Sequence, residues 1–154
     1  MEYTFTARAE WQQLLRDPSG CREEKPRLDG KTMVIDKGIG IGAFADMLET
    51  AAPYIDFIKI GFGTSPLYPL PLLRKKVELA KSRDIVIYPG GTFLEVAVRH
   101  GETDAFFGMV RHIGFNGIEV SDGTIEMSRD TRNRLIEKGR EMGLTVVTEY
   151  GKKA

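Results

Sequence analysis

Tyr54-Ile55-Asp56-Phe57-Ile58-Lys59-Ile60-Gly61-Phe62-Gly63-Thr64-Ser65 is the stretch whose reading decides the fold. A short apolar run, Ile55 to Ile58, gives way to a lysine and a glycine-rich loop. Parallel strands buried on both faces read as such runs, and in α/β folds the loops at their C-terminal ends gather into one reactive rim. The same grammar recurs along the chain. Met33-Val34-Ile35 precedes Asp36-Lys37-Gly38, and Ile85-Val86-Ile87 precedes Tyr88-Pro89-Gly90-Gly91-Thr92. Gly117-Ile118 precedes Glu119-Val120-Ser121-Asp122-Gly123-Thr124, and the run from Leu144 to Val147 precedes Glu149-Tyr150-Gly151-Lys152-Lys153. Strands beginning near residues 32, 55, 85, 117 and 144 have the spacing of successive βα units. Each loop carries Lys, Asp, Glu or Gly, so the pattern describes a site as well as a fold.

Between the strands the apolar periodicity predicts helices. Phe44 to Ala52 places Phe44, Met47, Leu48 and Ala51 on one face before Pro53. Pro71 to Ser82 carries Leu72, Leu73, Val77, Leu79 and Ala80, with Pro71 in the first turn. Phe93 to His100 is followed across Gly101 by Thr103 to His112. Asp130 to Met142 has Leu135, Ile136 and Met142 as its stripe, Ser128 as N-cap and Gly143 as its stop. Residues 1–31 read as an appendage, with a short helix over 7–16 (Trp11, Leu14 and Leu15 on one face) and then a charged loop. Residues 32–154 read as five strands of an α/β barrel of the (β/α)8 TIM type, truncated after the fifth strand, since no helix follows it.

Composition narrows the function. The 154 residues hold 22 basic and 22 acidic side chains, a net charge of +0 that gives no electrostatic case for nucleic acid or an anionic membrane. No apolar stretch approaches the roughly 20 residues of a transmembrane helix, and the polar N-terminus lacks a signal-peptide core. The one cysteine, Cys21, makes no internal disulfide and suits a cytoplasmic setting.

The five clusters, in this order, resemble the phosphosulfolactate synthase family over roughly residues 30–153. Val34-Ile35-Asp36-Lys37-Gly38, the Tyr54 to Ser65 stretch, Tyr88-Pro89-Gly90-Gly91-Thr92-Phe93-Leu94-Glu95, Ile118 to Gly123 and Thr148 to Lys153 carry the resemblance. It implies a TIM-barrel lyase that adds sulfite to phosphoenolpyruvate, with Mg2+, to give (2R)-O-phospho-3-sulfolactate. Such enzymes serve coenzyme M synthesis in methanogens and sulfolactate formation in some bacteria. Heat-stress-associated plant relatives share the pattern without a clear enzymatic role. A barrel usually runs to about 250 residues and often holds phosphate in the loops after strands 7 and 8. A homo-oligomer, or a complementing C-terminal part, is therefore expected to complete the fold.

The residues sort by chemistry. Sulfite addition pushes charge onto the phosphoenolpyruvate carboxylate, and that charge needs a divalent cation or fixed donors. Glu119, Asp122 and Glu149 end adjacent strands and are the expected Mg2+ ligands, with pairing to rim lysines as the alternative. A proton must then reach the neighbouring carbon. Lys152 and Lys153 are the expected acids, and the family pattern favours Lys153; a solvated basic tail is the bland alternative. Lys37 and Lys59 close consecutive strands and suggest an anion pocket, or else ion bridges with Asp36 and Asp56. Gly90, Gly91 and Thr92 offer backbone N–H groups to substrate or form a plain turn. Gly38 to Ala43 superficially fits a dinucleotide-binding turn, but Lys59 stands where the acidic partner belongs, so a tight βα turn is the better reading. Three rivals remain beside the enzyme: a non-catalytic relative, an inactive barrel fragment, and a small α/β domain that binds phosphate-containing ligands.

Overall fold

The structure is a computed structural model that describes residues 23–152. The helix expected over 7–16, Cys21 and Lys153 lie outside the described residues. The chain divides into two compact units, Met1–Gly30 and Lys31–Ala154. The described part of the first, residues 23–30, contains no helix or strand.

The second unit alternates strand and helix. Its strands are β1 (Met33–Asp36), β2 (Phe57–Ile60), β3 (Val86–Pro89), β4 (Gly117–Val120) and β5 (Thr145–Thr148). Its helices are α1 (Ile41–Ala51), α2 (Leu70–Lys81), α3 (Gly91–His100), α4 (Thr103–Ile113) and α5 (Arg129–Glu141). Short 3-10 turns at Ala52–Tyr54 and Ser65–Leu67 each hold a proline near their start. Within this unit every strand and helix read from the sequence is present within a few residues. Helix starts shift, and β2 begins at Phe57 where the apolar run begins at Ile55. α1 begins at Ile41, so Gly42 and Ala43 are already helical, and α3 begins at Gly91, so Gly91 and Thr92 form a first helical turn. Ser128 caps α5 as expected, its Oγ accepting from the Thr131 N–H at 3.1 Å.

β1, β2 and β3 pair in parallel and in sequence order, and β4 pairs with β5 in parallel. Between β3 and β4 an asparagine side chain replaces the ladder. Asn116 Oδ1 accepts from the Ile87 N–H at 2.7 Å, and its Nδ2 donates to the Ile85 carbonyl at 3.2 Å. Gly117 permits the approach, because a Cβ there would stand 2.6 Å from Val86 Cγ1. A side chain of any size would push β4 away.

Alternation along the strands separates two faces. Ile58, Ile60, Ile87, Ile118 and Val120 pack with Phe44, Leu48, Leu73, Val77, Leu94, Phe107 and Leu135 from the helices into one core. The opposite face carries Met33 and Ile35, which are 47% and 41% exposed, together with Lys59, Tyr88 and Glu119. The helices thus cover one face, and the charged residues of β2 and β4 stand on the other.

Candidate active site

Lys59 and Glu119 occupy strand positions flanked by isoleucine or valine that point into the helix core. Alternation therefore forces both charges onto the opposite face. There Lys59 Nζ lies 2.8 Å from Glu119 Oε1 and 3.7 Å from Glu149 Oε2. Lys59 and Glu119 are 7% and 2% exposed, so this is a buried pair, with Glu149 at its more open side. Burial pushes the Glu119 carboxyl above its ordinary value, and the adjoining Glu149 carboxyl adds to the rise despite Lys59. Glu119 Oε2 is buried and no donor serves it. Tyr88, on the strand between, is raised as well, first by burial and then by the two glutamates. One ammonium thus faces two carboxyls, leaving an excess of negative charge in a low-dielectric setting.

The loops around this centre are fixed by polar residues buried under the rim. Asp36 ends β1 on the helix side, where Lys76 of α2 meets its Oδ2 at 2.6 Å with both side chains fully buried. Its Oδ1 accepts from the N–H groups of Gly38 and Ile39 at 2.8 and 3.0 Å, and from the Tyr68 hydroxyl at 3.0 Å. Burial alone would raise the Asp36 carboxyl, but these bonds together hold it below its ordinary value. Tyr68 is correspondingly pushed up to about 12 by burial and by Asp36. The Asp36 cluster fixes the β1–α1 turn that carries Lys37.

Glu95 plays the same part for the β4–α5 loop. It is fully buried on α3 and accepts from the N–H groups of Gly123 and Thr124 at 3.1 and 2.6 Å, and from the hydroxyls of Ser121 and Thr124. Burial acts to raise its carboxyl, yet those bonds hold it below the ordinary value. The α3 N-terminus is wedged between loops. A Cβ on Gly90 would lie 2.8 Å from the Phe62 carbonyl oxygen, and one on Gly91 would lie 2.3 Å from Ser121 Oγ. Both glycines are thus required by close approach.

The structure brings together Lys59, Glu119 and Glu149 and gives the other expected residues separate places. Asp122 is bound by Arg132 of α5, and that guanidinium is the main reason its carboxyl sits below the ordinary value. Lys152 is exposed; its Nζ donates to the carbonyls of Asp122 and Ile125 at 3.0 and 2.7 Å and lies 3.1 Å from Glu126. Lys37 is exposed, with its ammonium 5.6 Å from the centre of the Phe62 ring. The alternative pairing of lysines with Asp36 and Asp56 is not the one formed: Asp36 takes Lys76, and Asp56 Oδ2 accepts from the Thr32 N–H at 2.8 Å. Lys76 and Arg132 escaped the sequence reading, and Glu95 entered it only within the family passage, although each falls at a helical interval from buried neighbours: Leu73 and Ala80; Gly91; Leu135 and Gly139.

Facing carboxylates with an unserved buried oxygen are the hard ligands that magnesium or calcium accepts. Among the described residues no three His, Cys, Asp or Glu side chains converge as a metal group. A cation here would rest on Glu119 and Glu149, with water completing its shell. That is the usual arrangement for magnesium, which keeps several waters.

A parallel α/β unit with a charged cluster at its strand ends is the frame of many enzymes, and comparison with known proteins narrows it. Residues 20–154 match the family model described as (2R)-phospho-3-sulfolactate synthase (ComA). The chain is similar to proteins named phosphosulfolactate synthase in three organisms. It is 41% identical over 132 residues to that of Methanothermobacter thermautotrophicus, covering 86% of this chain and 51% of the relative. To that of Methanocaldococcus jannaschii it is 37% identical over 124 residues, covering 80% and 49%. To that of Bacillus subtilis it is 34% identical over 132 residues, covering 86% and 51%. A solved structure titled "Structure of CpGH84B" superposes with a TM-score of 0.53 at 10% identity, over 77% of this chain and 27% of that one, a likeness of fold alone. The chain belongs to the (2R)-phospho-3-sulfolactate synthase family. It spans about half the length of the curated relatives it matches.

Proposed function

We propose that this chain supplies the cation and enolate centre of a lyase that adds sulfite to phosphoenolpyruvate to give (2R)-O-phospho-3-sulfolactate. The observation that carries the reading is the buried cluster of Lys59, Glu119 and Glu149 at the ends of β2, β4 and β5. In this reaction the sulfite sulfur bonds to the methylene carbon of phosphoenolpyruvate. The electron pair of the C=C bond moves onto the carboxylate, and a proton then closes the product at the phosphate-bearing carbon. Phosphate is retained throughout.

Glu119 and Glu149 would hold Mg2+, which when bound stabilises the negative charge developing on the substrate carboxylate. Lys59 holds the Glu119 carboxylate in place and supplies fixed positive charge beside it. Lys37, exposed at the end of β1, is placed to meet an incoming anion. The buried N-terminal turn of α3 at Gly91 adds backbone N–H groups at the same rim. Lys152 or Lys153 would supply the proton, and the family pattern favours Lys153.

The finer fold belongs to the same reading. Strands in sequence order with helices on one face, and an opposite face on which Met33 and Ile35 are left exposed, support a (β/α)8 barrel in which residues 32–154 form five strands. Further strands, from additional chain or from a partner, would cover that face and provide the grip on phosphate. No helix among the described residues is long and apolar enough to cross a membrane. The single cysteine favours a cytoplasmic setting.

Phosphorus NMR of the intact protein with phosphoenolpyruvate, sulfite and Mg2+ tests the reaction. The expected result is sulfite-dependent conversion of phosphoenolpyruvate into a new phosphate ester without release of inorganic phosphate. Phosphate release, or an unchanged spectrum, contradicts it.

A further inference from the structure

The sequence pattern offers Asp122 as a third cation ligand, but its surroundings assign it another task. Its carboxylate is taken by the Arg132 guanidinium, with the two side chains 14% and 16% exposed. The other end of Arg132 reaches β5: Nη1 donates to the Glu149 carbonyl at 3.5 Å, and the guanidinium lies 5.6 Å from the Tyr150 ring centre. The β4–β5 ladder runs only as far as Thr148, and the Glu149 N–H is held by the Val120 carbonyl at 3.2 Å. After Glu149 the chain leaves the sheet through Tyr150, which is 92% exposed, and Gly151 at φ +126. Arg132 is therefore a tether on the far side of the Glu149 peptide, and Asp122 aims Arg132.

We propose that Asp122 and Arg132 form a positioning pair that holds Glu149 against Lys59 and Glu119, Asp122 acting through Arg132 and not on the cation. A planar guanidinium suits this task because it engages a carboxylate, a carbonyl and an aromatic face at once. Glu95 supports the arrangement from beneath, binding Ser121, Gly123 and Thr124 on both sides of Asp122.

The inference rests on the cation reading above for its functional consequence, and its test has one arm that does not. Asp122→Asn, Arg132→Met and the double variant are made in the intact protein. Hydrogen exchange at the amides of residues 149–152 is read beside a Mn2+ titration without substrate and the Mg2+ dependence of turnover. The pair predicts faster exchange over residues 149–152 in all three, with the β4 amides unchanged. It also predicts Mn2+ binding weakened by roughly tenfold in each, as for the outer partners of metal ligands. The double variant should be little worse than either single, since both break one link. The KM for phosphoenolpyruvate at saturating Mg2+ should stay as in the parent. Loss of Mn2+ binding in Asp122→Asn with normal binding in Arg132→Met would make Asp122 a ligand and overturn the proposal. Unchanged exchange at residues 149–152 in Arg132→Met would overturn it as well. If the parent protein neither binds Mn2+ nor consumes phosphoenolpyruvate, the cation reading fails, and the exchange arm alone decides the pair.

Discussion

Lys59 Nζ and Glu119 Oε1 meet at 2.8 Å although their strands, β2 and β4, are two places apart. Strands at that remove lie roughly 9–10 Å from each other, so both side chains lean toward each other over β3 and bury their charges together. Breaking a buried pair by removing one partner leaves an uncompensated charge and costs about 3–5 kcal/mol. Lys59→Met should therefore destabilise by about that amount, and Lys59→Met/Glu119→Gln should recover most of it while remaining inactive. Denaturant titration of the three proteins checks this.

Glu149 is expected to oppose stability while serving function. It raises the Glu119 carboxyl, as like charges do. Glu149→Gln should raise stability in chelator by about 0.5 kcal/mol, a small gain because the side chain is 43% exposed and screened by solvent. The same change should remove Mg2+-dependent turnover. Thermal melts with and without EDTA, paired with the assay, read both effects.

The two glycines that open α3 should both resist a side chain. A methyl group on Gly90 would strike backbone, the Phe62 oxygen and nitrogen at 2.8 and 2.9 Å, and one on Gly91 would strike the buried Ser121 hydroxyl that donates to Glu95. Gly90→Ala and Gly91→Ala should each cost about 1–3 kcal/mol, as overpacking does. A melting temperature unchanged from the parent in either variant would contradict this.

Acid should destabilise the fold in a defined window. The Asp36 and Glu95 carboxyls sit below their ordinary values of 3.8 and 4.5, so their contribution is fully present above about pH 4.5. It is lost as pH falls through the lower folded-state values. Glu119, raised in the fold, has the opposite sign: its protonation on acidification favours the folded state. In chelator the melting temperature should hold or rise slightly from pH 7 to about 5 and then fall steeply below about 4. Glu95→Gln should lower the unfolding free energy at neutral pH by about 2–4 kcal/mol, since hydrogen bonds to a charged group are worth roughly 1.5–3 kcal/mol each. It should also flatten the acid limb.

Much of the fold was legible because each strand is a short apolar run closed by charge or glycine, and each helix has its own stripe. The site was legible where a charge interrupts such a run: Lys59 and Glu119 lie between residues that the core claims, so strand alternation alone turns them to the other face. Glu149, one step past β5, follows the same alternation. The direction of Asp122 was not legible because it lies in a loop; Arg132, ten residues on, decides where it points. Lys76 and the role of Glu95 were missed because a charge within an apolar helical stripe reads as an interruption, whereas here each residue is a buried anchor for a loop. The asparagine join between β3 and β4 had no sequence signal, since Asn116 reads as an ordinary turn residue before a strand.

The most direct test of the central claim, that Lys59, Glu119 and Glu149 form a cation-centred active site, is an anomalous difference map from crystals of the intact protein grown with Mn2+ and phosphoenolpyruvate. The account predicts one strong peak in contact with the carboxylates of both Glu119 and Glu149, with the substrate carboxylate beside it and Lys59 still bound to Glu119. A peak elsewhere, or substrate bound away from a closed Lys59–Glu119–Glu149 cluster, would contradict it.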